Sequence, residues 1–337
     1  MILQMTPITK KIIVGILAAI IVSFGALLGW TLSQPAGGNE EPVLVIIKPG
    51  SPTKAIAEDL KTRHLIKNSF IFRLSAKLQG VENSLQAGEY AISANMPVHQ
   101  ILSMMAHGQT AYLQITIPEG YTVDQIAALL AEKKIADPEK FKTLAKTFAP
   151  YPYMAAEANT KYTAEGFIFP DTYRLAKGVS EEELLTMMVK QFDADLTPDL
   201  RQRAQELGLS LREVVILASL VEKEAKLSEE RPVIAGVFAN RLKQGMPLQS
   251  CATIQYILGY PKAELTIQDT QINSPYNTYQ IMGLPPGPIA NPGSAAIKAV
   301  LFAAKTDYLY FVADKQGRHH FSKTYEEHLV AINQVQI

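Results

Sequence analysis

The sequence predicts an α+β protein: an N-terminal transmembrane helix, a small strand–helix module and a larger α+β domain. Three observations predict it. Residues 12–32 are an uncharged, mostly apolar run of 21. Two later stretches, 70 positions apart, share one strand–turn–helix pattern. Hydrophobic residues make up 47% of the 337 and charged residues 19%, which suffices for a packed core and excludes a chain disordered throughout. Lys plus Arg and Asp plus Glu both number 32, so the chain lacks the basic footprint of a dedicated nucleic-acid binder. Its single cysteine, Cys251, rules out an intrachain disulfide and argues against a cysteine-based zinc site.

The apolar run IIVGILAAIIVSFGALLGWTL follows Lys10 and Lys11, and no charge comes after it until Glu40. At about 1.5 Å per residue it covers a hydrocarbon core of roughly 30 Å. The positive-inside rule puts residues 1–11 in the cytoplasm as a short tail and everything after residue 32 outside. Trp30 sits where an interfacial aromatic belongs. The alternative is a cleaved signal peptide, but the run is long for one and no small-x-small site follows. Residues 33–42, with SQPAGGNEE, form a flexible linker.

A first module is expected over residues 43–112 and a second domain over 113–337. VIIKPGSPTKAIAEDLKTRHLI (45–66) and ITIPEGYTVDQIAALLAEKKI (115–135) each begin as a β-branched strand, turn at a glycine and continue with helical apolar spacing. Gly50 matches Gly120, Ile56 matches Ile126, Ala57 matches Ala127 and Leu60 matches Leu130. Thr122 with Gln125 is a capping box. YAISANMPVHQILSMMAHG (90–108) is a shorter strand–helix relative. Small units of this kind resemble LysM modules, which bind N-acetylated glycans; a generic α+β packing module fits the same pattern.

In the second domain Ser180, followed by three glutamates, starts a helix. Ser210 and Glu213 form another capping box, opening LREVVILASLVEKEAK. A helix after Ser228 ends near Gly245, and a loop-rich stretch holds SPYNTY and GLPPGPIANPG before a helix from Ser294 to about Ala304. A strand hairpin and a short helix close the chain.

Chemistry concentrates at the end of the helix after Ser210. That helix is apolar nearly all round, so it belongs in the middle of a domain. On a helical wheel Lys223 lies with Arg212 and Ser219 on the polar side, and Glu222 and Glu224 flank the stripe of Val214, Ala218 and Val221. A carboxyl at the edge of an apolar surface loses solvation and holds its proton to higher pH, as a general acid must. The plainer reading is a pair of exposed acids matched to Lys223, Lys226 or Arg231. The wheel does not choose between Glu222 and Glu224. Gln249, Tyr276, Asn277, Thr278 and Tyr279 offer aromatic faces and amides of the kind that bind sugars, or they simply set turns. His319, His320 and His328 near Glu326 and Glu327 match no recognised metal-ligand spacing, and no metal is expected. A P-loop, a Rossmann fingerprint and a G-x-S-x-G elbow are all missing.

Taken together, EGFIFPDTY (165–173), ILASLVEKEA (216–225), VFANRLKQGMPLQS (237–250), SPYNTY (274–279), GLPPGPIANPGSAAIKA (283–299) and KTDYLYFVAD (305–314) resemble the MltG/YceG-like endolytic murein transglycosylases over nearly the whole chain. The resemblance implies a LysM-like module followed by a YceG-like catalytic domain. It implies a lyase, a peptidoglycan lytic transglycosylase that cuts the β-1,4 bond between N-acetylmuramic acid and N-acetylglucosamine of nascent strands without water. The product ends in 1,6-anhydro-N-acetylmuramic acid, and strand elongation stops. One carboxylic acid, by resemblance Glu224, acts as acid and then base, unlike the carboxylate pair of ordinary glycosidases. Gln249, Tyr276, Asn277, Thr278 and Tyr279 would line the glycan cleft, and Glu222 would contact substrate or support the acid. No cofactor is implied. The implied partners are peptidoglycan glycan strands and peptidoglycan synthases (penicillin-binding proteins), with no nucleic acid. The implied location is the inner (cytoplasmic) membrane, single-pass, with the catalytic region periplasmic or extracytoplasmic. The chain departs from the family at Ala225, where Thr or Ser is usual, and at Cys251-Ala252, where Asp-Pro is common; a hydroxyl contact beside the acid is therefore open. A water-using muramidase and a non-catalytic glycan scaffold are the rival readings.

Overall fold

A computed structural model describes residues 15–16, 19–20, 22–25, 27–28, 30, 34–37, 41–176, 178–262 and 264–336. The expected cytoplasmic tail lies outside these, as does part of the expected transmembrane span. The described residues between 15 and 30 are helical, and Ile16, Ile20, Val22, Phe24, Leu27 and Trp30 are exposed. Among the described residues no helix is long and apolar enough to cross a membrane.

The fold is mixed α+β. Its described strands form three two-stranded sheets: β1 (Val43–Ile47) with β2 (Gly88–Ile92), β3 (Tyr112–Thr116) with β4 (Thr172–Ala176), and β5 (Tyr310–Ala313) with β6 (His319–Ser322). The chain divides into two compact units, residues 1–113 with 174–177, and residues 114–173 with 178–337.

In the first unit β1 and β2 are antiparallel, with Val45 opposite Tyr90. Between them run α1 (Thr53–Thr62) and α2 (Ser69–Leu78), and α3 (Val98–Ala106) follows β2. Asn68 caps α2, its side chain accepting from the Phe70 and Ile71 amides. Val45 and Ile47 alternate inward from β1 and meet Ile56, Leu60, Phe72 and Ile101 in one buried cluster.

The second unit is mostly helical. It contains α4 (Val123–Glu132), α5 (Pro138–Ala145), α6 (Glu181–Asp195), α7 (Pro198–Glu206), α8 (Leu211–Glu224), α9 (Arg231–Lys243), α10 (Cys251–Leu258), α11 (Ser294–Leu301) and α12 (Tyr325–Gln336). The boxes of Thr122 with Gln125, Ser180 with Glu183, and Ser210 with Glu213 are all formed. The 70-residue likeness is structural: Gly50 and Gly120 both turn with positive φ, and Ile56, Ala57 and Leu60 are buried like Ile126, Ala127 and Leu130.

Helix α8 is the axis of this unit's core, with Val214, Leu217, Ala218, Leu220 and Val221 all buried. Each buried aliphatic side chain of this size stabilises the fold by about 1.5–3 kcal/mol. Of the polar side expected from the helical wheel, Arg212 and Ser219 are buried and Lys223 is exposed. Arg212 donates to the Met154 and Pro286 carbonyls, and Ser219 Oγ donates to the Ile216 carbonyl while accepting from the Ile289 amide. Distant loops and the helix's own backbone satisfy these two groups, and the loop contacts are beyond what sequence periodicity could place.

Candidate active site

Glu224 is the last residue of α8. Ala225 is already extended (φ −74°, ψ 116°), so the chain leaves the helix directly after the acid and the side chain reaches the surface partly covered. The Ser250 hydroxyl donates to Glu224 Oε1. Ser250 is itself buried, and its backbone is fixed at both its amide and its carbonyl. Its amide donates to Thr278 Oγ1 (3.0 Å), its carbonyl accepts from Thr253 Oγ1 (2.7 Å), and the two threonine hydroxyls lie 3.0 Å apart. Burial raises the proton affinity of Glu224; Ser250, the charge of His319 and the Ala252 amide oppose that rise. The hydroxyl contact left open by Ala225 is thus made by Ser250.

Glu224 lines a groove of about 390 Å³ together with Arg241, Gln249, Cys251 and Tyr279. Gln249 has φ of +51°, a conformation rare for a side chain of its size. Such strain costs on the order of 1–3 kcal/mol and persists only where neighbours hold it. Here the Gln249 amide donates to the Thr278 carbonyl (3.0 Å) and its Oε1 accepts from Arg241 Nη1 (3.2 Å). Arg241 is buried and is spent on carbonyls: Nε donates to Leu309 (2.7 Å), and Nη1 to Pro247 and Leu248 (both 3.0 Å). Tyr279 Oη sits 3.1 Å from Cys251 Sγ, and burial holds its proton well above the usual phenol range.

The structure therefore brings together Glu224, Gln249 and Tyr279 from the residues singled out in the sequence. Glu222 points elsewhere, accepting from Arg231 Nη2 (3.0 Å) and from the Gly293 amide (3.0 Å). Tyr276 is buried: its ring packs on Tyr256 at 5.1 Å and its hydroxyl accepts from the Lys161 amide. Asn277 is fully buried and donates to the Thr270 and Ile272 carbonyls while accepting from the Tyr279 amide. Thr278 is fully buried and holds Ser250. Asn277 and Thr278 shape the loop that presents Tyr279 and Ser250; neither lines the groove.

Sequence reasoning missed Ser250 and Arg241, although both lie within the VFANRLKQGMPLQS motif. It also assigned nothing to Glu165. That carboxyl is fully buried and accepts from the Val123 amide (2.9 Å), Asn291 Nδ2 (3.0 Å) and Tyr256 Oη (3.1 Å). Burial pushes its pKa up to about 8. Away from the groove, it ties the start of α4, the 288–292 loop and α10 into one block. His319 Nδ1 lies 2.7 Å from Glu230 Oε2, and His320 Nε2 is 3.3 Å from Asp314 Oδ2. Among the described residues no three His, Cys, Asp or Glu cluster to hold a metal ion.

The YceG-like family model matches residues 45–334. The chain belongs to the YceG-like family. The endolytic murein transglycosylase of Bacillus subtilis (strain 168) is 35% identical over 323 residues, covering 92% of this chain and 89% of the relative. The endolytic murein transglycosylase of Streptococcus pneumoniae serotype 2 is 34% identical over 319 residues, 86% of this chain, and the match spans 58% of that longer protein. The crystal structure of a YceG-like protein from Listeria monocytogenes superposes with a TM-score of 0.62 at 34% identity, covering 87% of this chain and 99% of the other.

Proposed function

We propose that this YceG-like protein is an endolytic peptidoglycan transglycosylase in which Glu224 alone serves as acid and base. The observation that carries the reading is the environment of that carboxyl: partly dry, opening on a groove, with one oxygen held by Ser250. Burial raises the proton affinity of the carboxyl, and Ser250 holds its Oε1. In the first step Glu224 protonates the glycosidic oxygen while the bond from muramic-acid C1 to that oxygen breaks. In the second, the C6 hydroxyl oxygen of the same sugar bonds to C1 and its proton goes to the Glu224 carboxylate. Water is not consumed, the acid returns to its starting state, and the new end is a 1,6-anhydro sugar. As the carboxylate forms, hydrogen bonds from Ser250 and the Ala252 amide favour its charge.

The same reading includes residues 12–32 as a single-pass anchor with residues 1–11 cytoplasmic, 33–42 as linker, 43–112 as a LysM-like glycan-binding module and 113–337 as the catalytic domain. Exposed apolar side chains between residues 16 and 30 support the anchor. The strand–helix–helix–strand order of 43–92 supports the module. A linker of about ten residues spans only some tens of Å, so strands still close to the membrane are the substrate within reach, and peptidoglycan synthases are the natural partners. Mass spectrometry of digested peptidoglycan tests the chemistry. Anhydro ends are expected from the intact chain and none from Glu224→Gln; reducing ends would replace this reading with hydrolysis.

A further inference from the structure

The C-terminal helix supplies a wall of the groove to which nothing so far assigns a role. His328 of α12 stacks on Tyr310 of β5, with centroids 5.2 Å apart and planes 22° apart, and leans on Tyr325 at 6.4 Å. All three rings line the groove that holds Glu224. Among the described residues no hydrogen bond reaches the imidazole. Its Nδ1 is buried with no partner, which leaves Nε2 as the ring nitrogen on the open edge. A buried N–H without an acceptor is rarer than a buried lone pair without a donor, so the neutral ring carries its proton on Nε2. Burial and the charge of Arg241 both disfavour a second proton. No carboxylate faces this wall among the groove residues apart from Glu224, and Arg241 stands over the Tyr310 ring, its guanidinium carbon 5.1 Å from the centroid.

We infer that Tyr325 and His328, backed by Tyr310, form a sugar subsite of the groove, in which the exposed ring of Tyr325 takes the apolar face of an N-acetylated pyranose and His328 Nε2–H donates to its acetamido carbonyl. An exposed ring face beside a placed donor is what a neutral sugar with an amide acceptor needs. Arg241, which also lines the groove, has its Nε and Nη1 taken by three carbonyls and Gln249. The subsite deepens the proposed function and rests on it for the identity of the natural strand.

Binding of tri-N-acetylchitotriose, measured by calorimetry on the full-length Glu224→Gln chain, tests the subsite without any turnover. His328→Phe keeps the stacked ring and removes the donor, and should weaken binding about tenfold, the equivalent of one lost hydrogen bond. His328→Gln restores a neutral donor and should bind within about threefold of its parent. Tyr325 is exposed, so Tyr325→Ala keeps the fold and should also weaken binding several-fold. A parent that does not bind the trisaccharide, a His328→Phe chain that binds as its parent does, or a His328→Gln chain as weak as His328→Phe would overturn the subsite. The product ends made by the unmutated chain report on the acid chemistry separately, so the two readings fail independently.

Discussion

Ser250→Ala isolates the hydroxyl that holds Glu224. Ser250 is buried, and its backbone contacts to Thr278 and Thr253 do not involve Oγ, so the substitution removes only the donor to Glu224 Oε1. A hydrogen bond to a charged group contributes about 1.5–3 kcal/mol. Because the charge on Glu224 forms during the reaction, that loss falls on the transition state and lowers kcat roughly 10- to 150-fold. The pH dependence carries the sharper test. Ser250 opposes the upward push of burial on the Glu224 proton affinity. Without it the carboxyl keeps its proton to higher pH, and the high-pH limb of kcat/KM moves upward even as the maximum falls. Ser250→Thr retains the hydroxyl and should return the limb toward its original position. The assay is release of anhydro-ended muropeptides across a pH series, followed by chromatography and mass spectrometry. A limb that stays in place in Ser250→Ala, with a rate reduced only in proportion to lost folded protein, would refute the reasoning.

Two further outcomes follow from groups outside the groove. Glu165 has its pKa raised by burial from an ordinary 4.5 to about 8, so its contribution to stability is full below 4.5 and is lost as pH rises through about 8. The slope is about 1.4 kcal/mol per pH unit; the melting temperature of Glu165→Gln should therefore gain on the parent between those limits and level off above them, and parallel profiles would contradict this. Glu222→Ala leaves Arg231, whose Nε already has no partner, without its nearest carboxylate. It should cost about 3 kcal/mol in denaturant unfolding, while turnover per folded molecule falls far less than in Glu224→Gln; equal losses of turnover would place Glu222 in the reaction.

Much of this fold is written locally. Thr122, Ser180 and Ser210 each stand three residues before a Gln or Glu, and each box forms because both partners belong to one helical turn. The alternation of Val45 and Ile47 and the helical spacing of Ile56, Ala57 and Leu60 fix which faces are buried. Helix ends shift where a tertiary contact decides: α9 starts at Arg231, after a short 3-10 turn over Ser228–Glu230, and α11 stops at Leu301. The site is legible only to the level of residue type. A helical wheel ranks Glu222 and Glu224 alike; what separates them is Arg231 and Gly293 on one side and Ser250 on the other, and the Ser250 contact spans 26 positions. The amide of Asn277 and the hydroxyl of Thr278 suit a sugar and suit a tight loop equally well, and here they satisfy backbone groups and Ser250. His328 and Tyr325 stand three apart on one helix, but Tyr310, on which the imidazole stacks, comes from another element.

The role of Glu224 is tested most directly by comparing the ends produced by the intact chain and by Glu224→Gln on un-crosslinked glycan strands. Quantitative conversion to 1,6-anhydro ends by the first, and none by a folded Glu224→Gln chain, is the expected result. Anhydro ends formed at the parent rate by Glu224→Gln would contradict the account, whatever the groove around that residue contains.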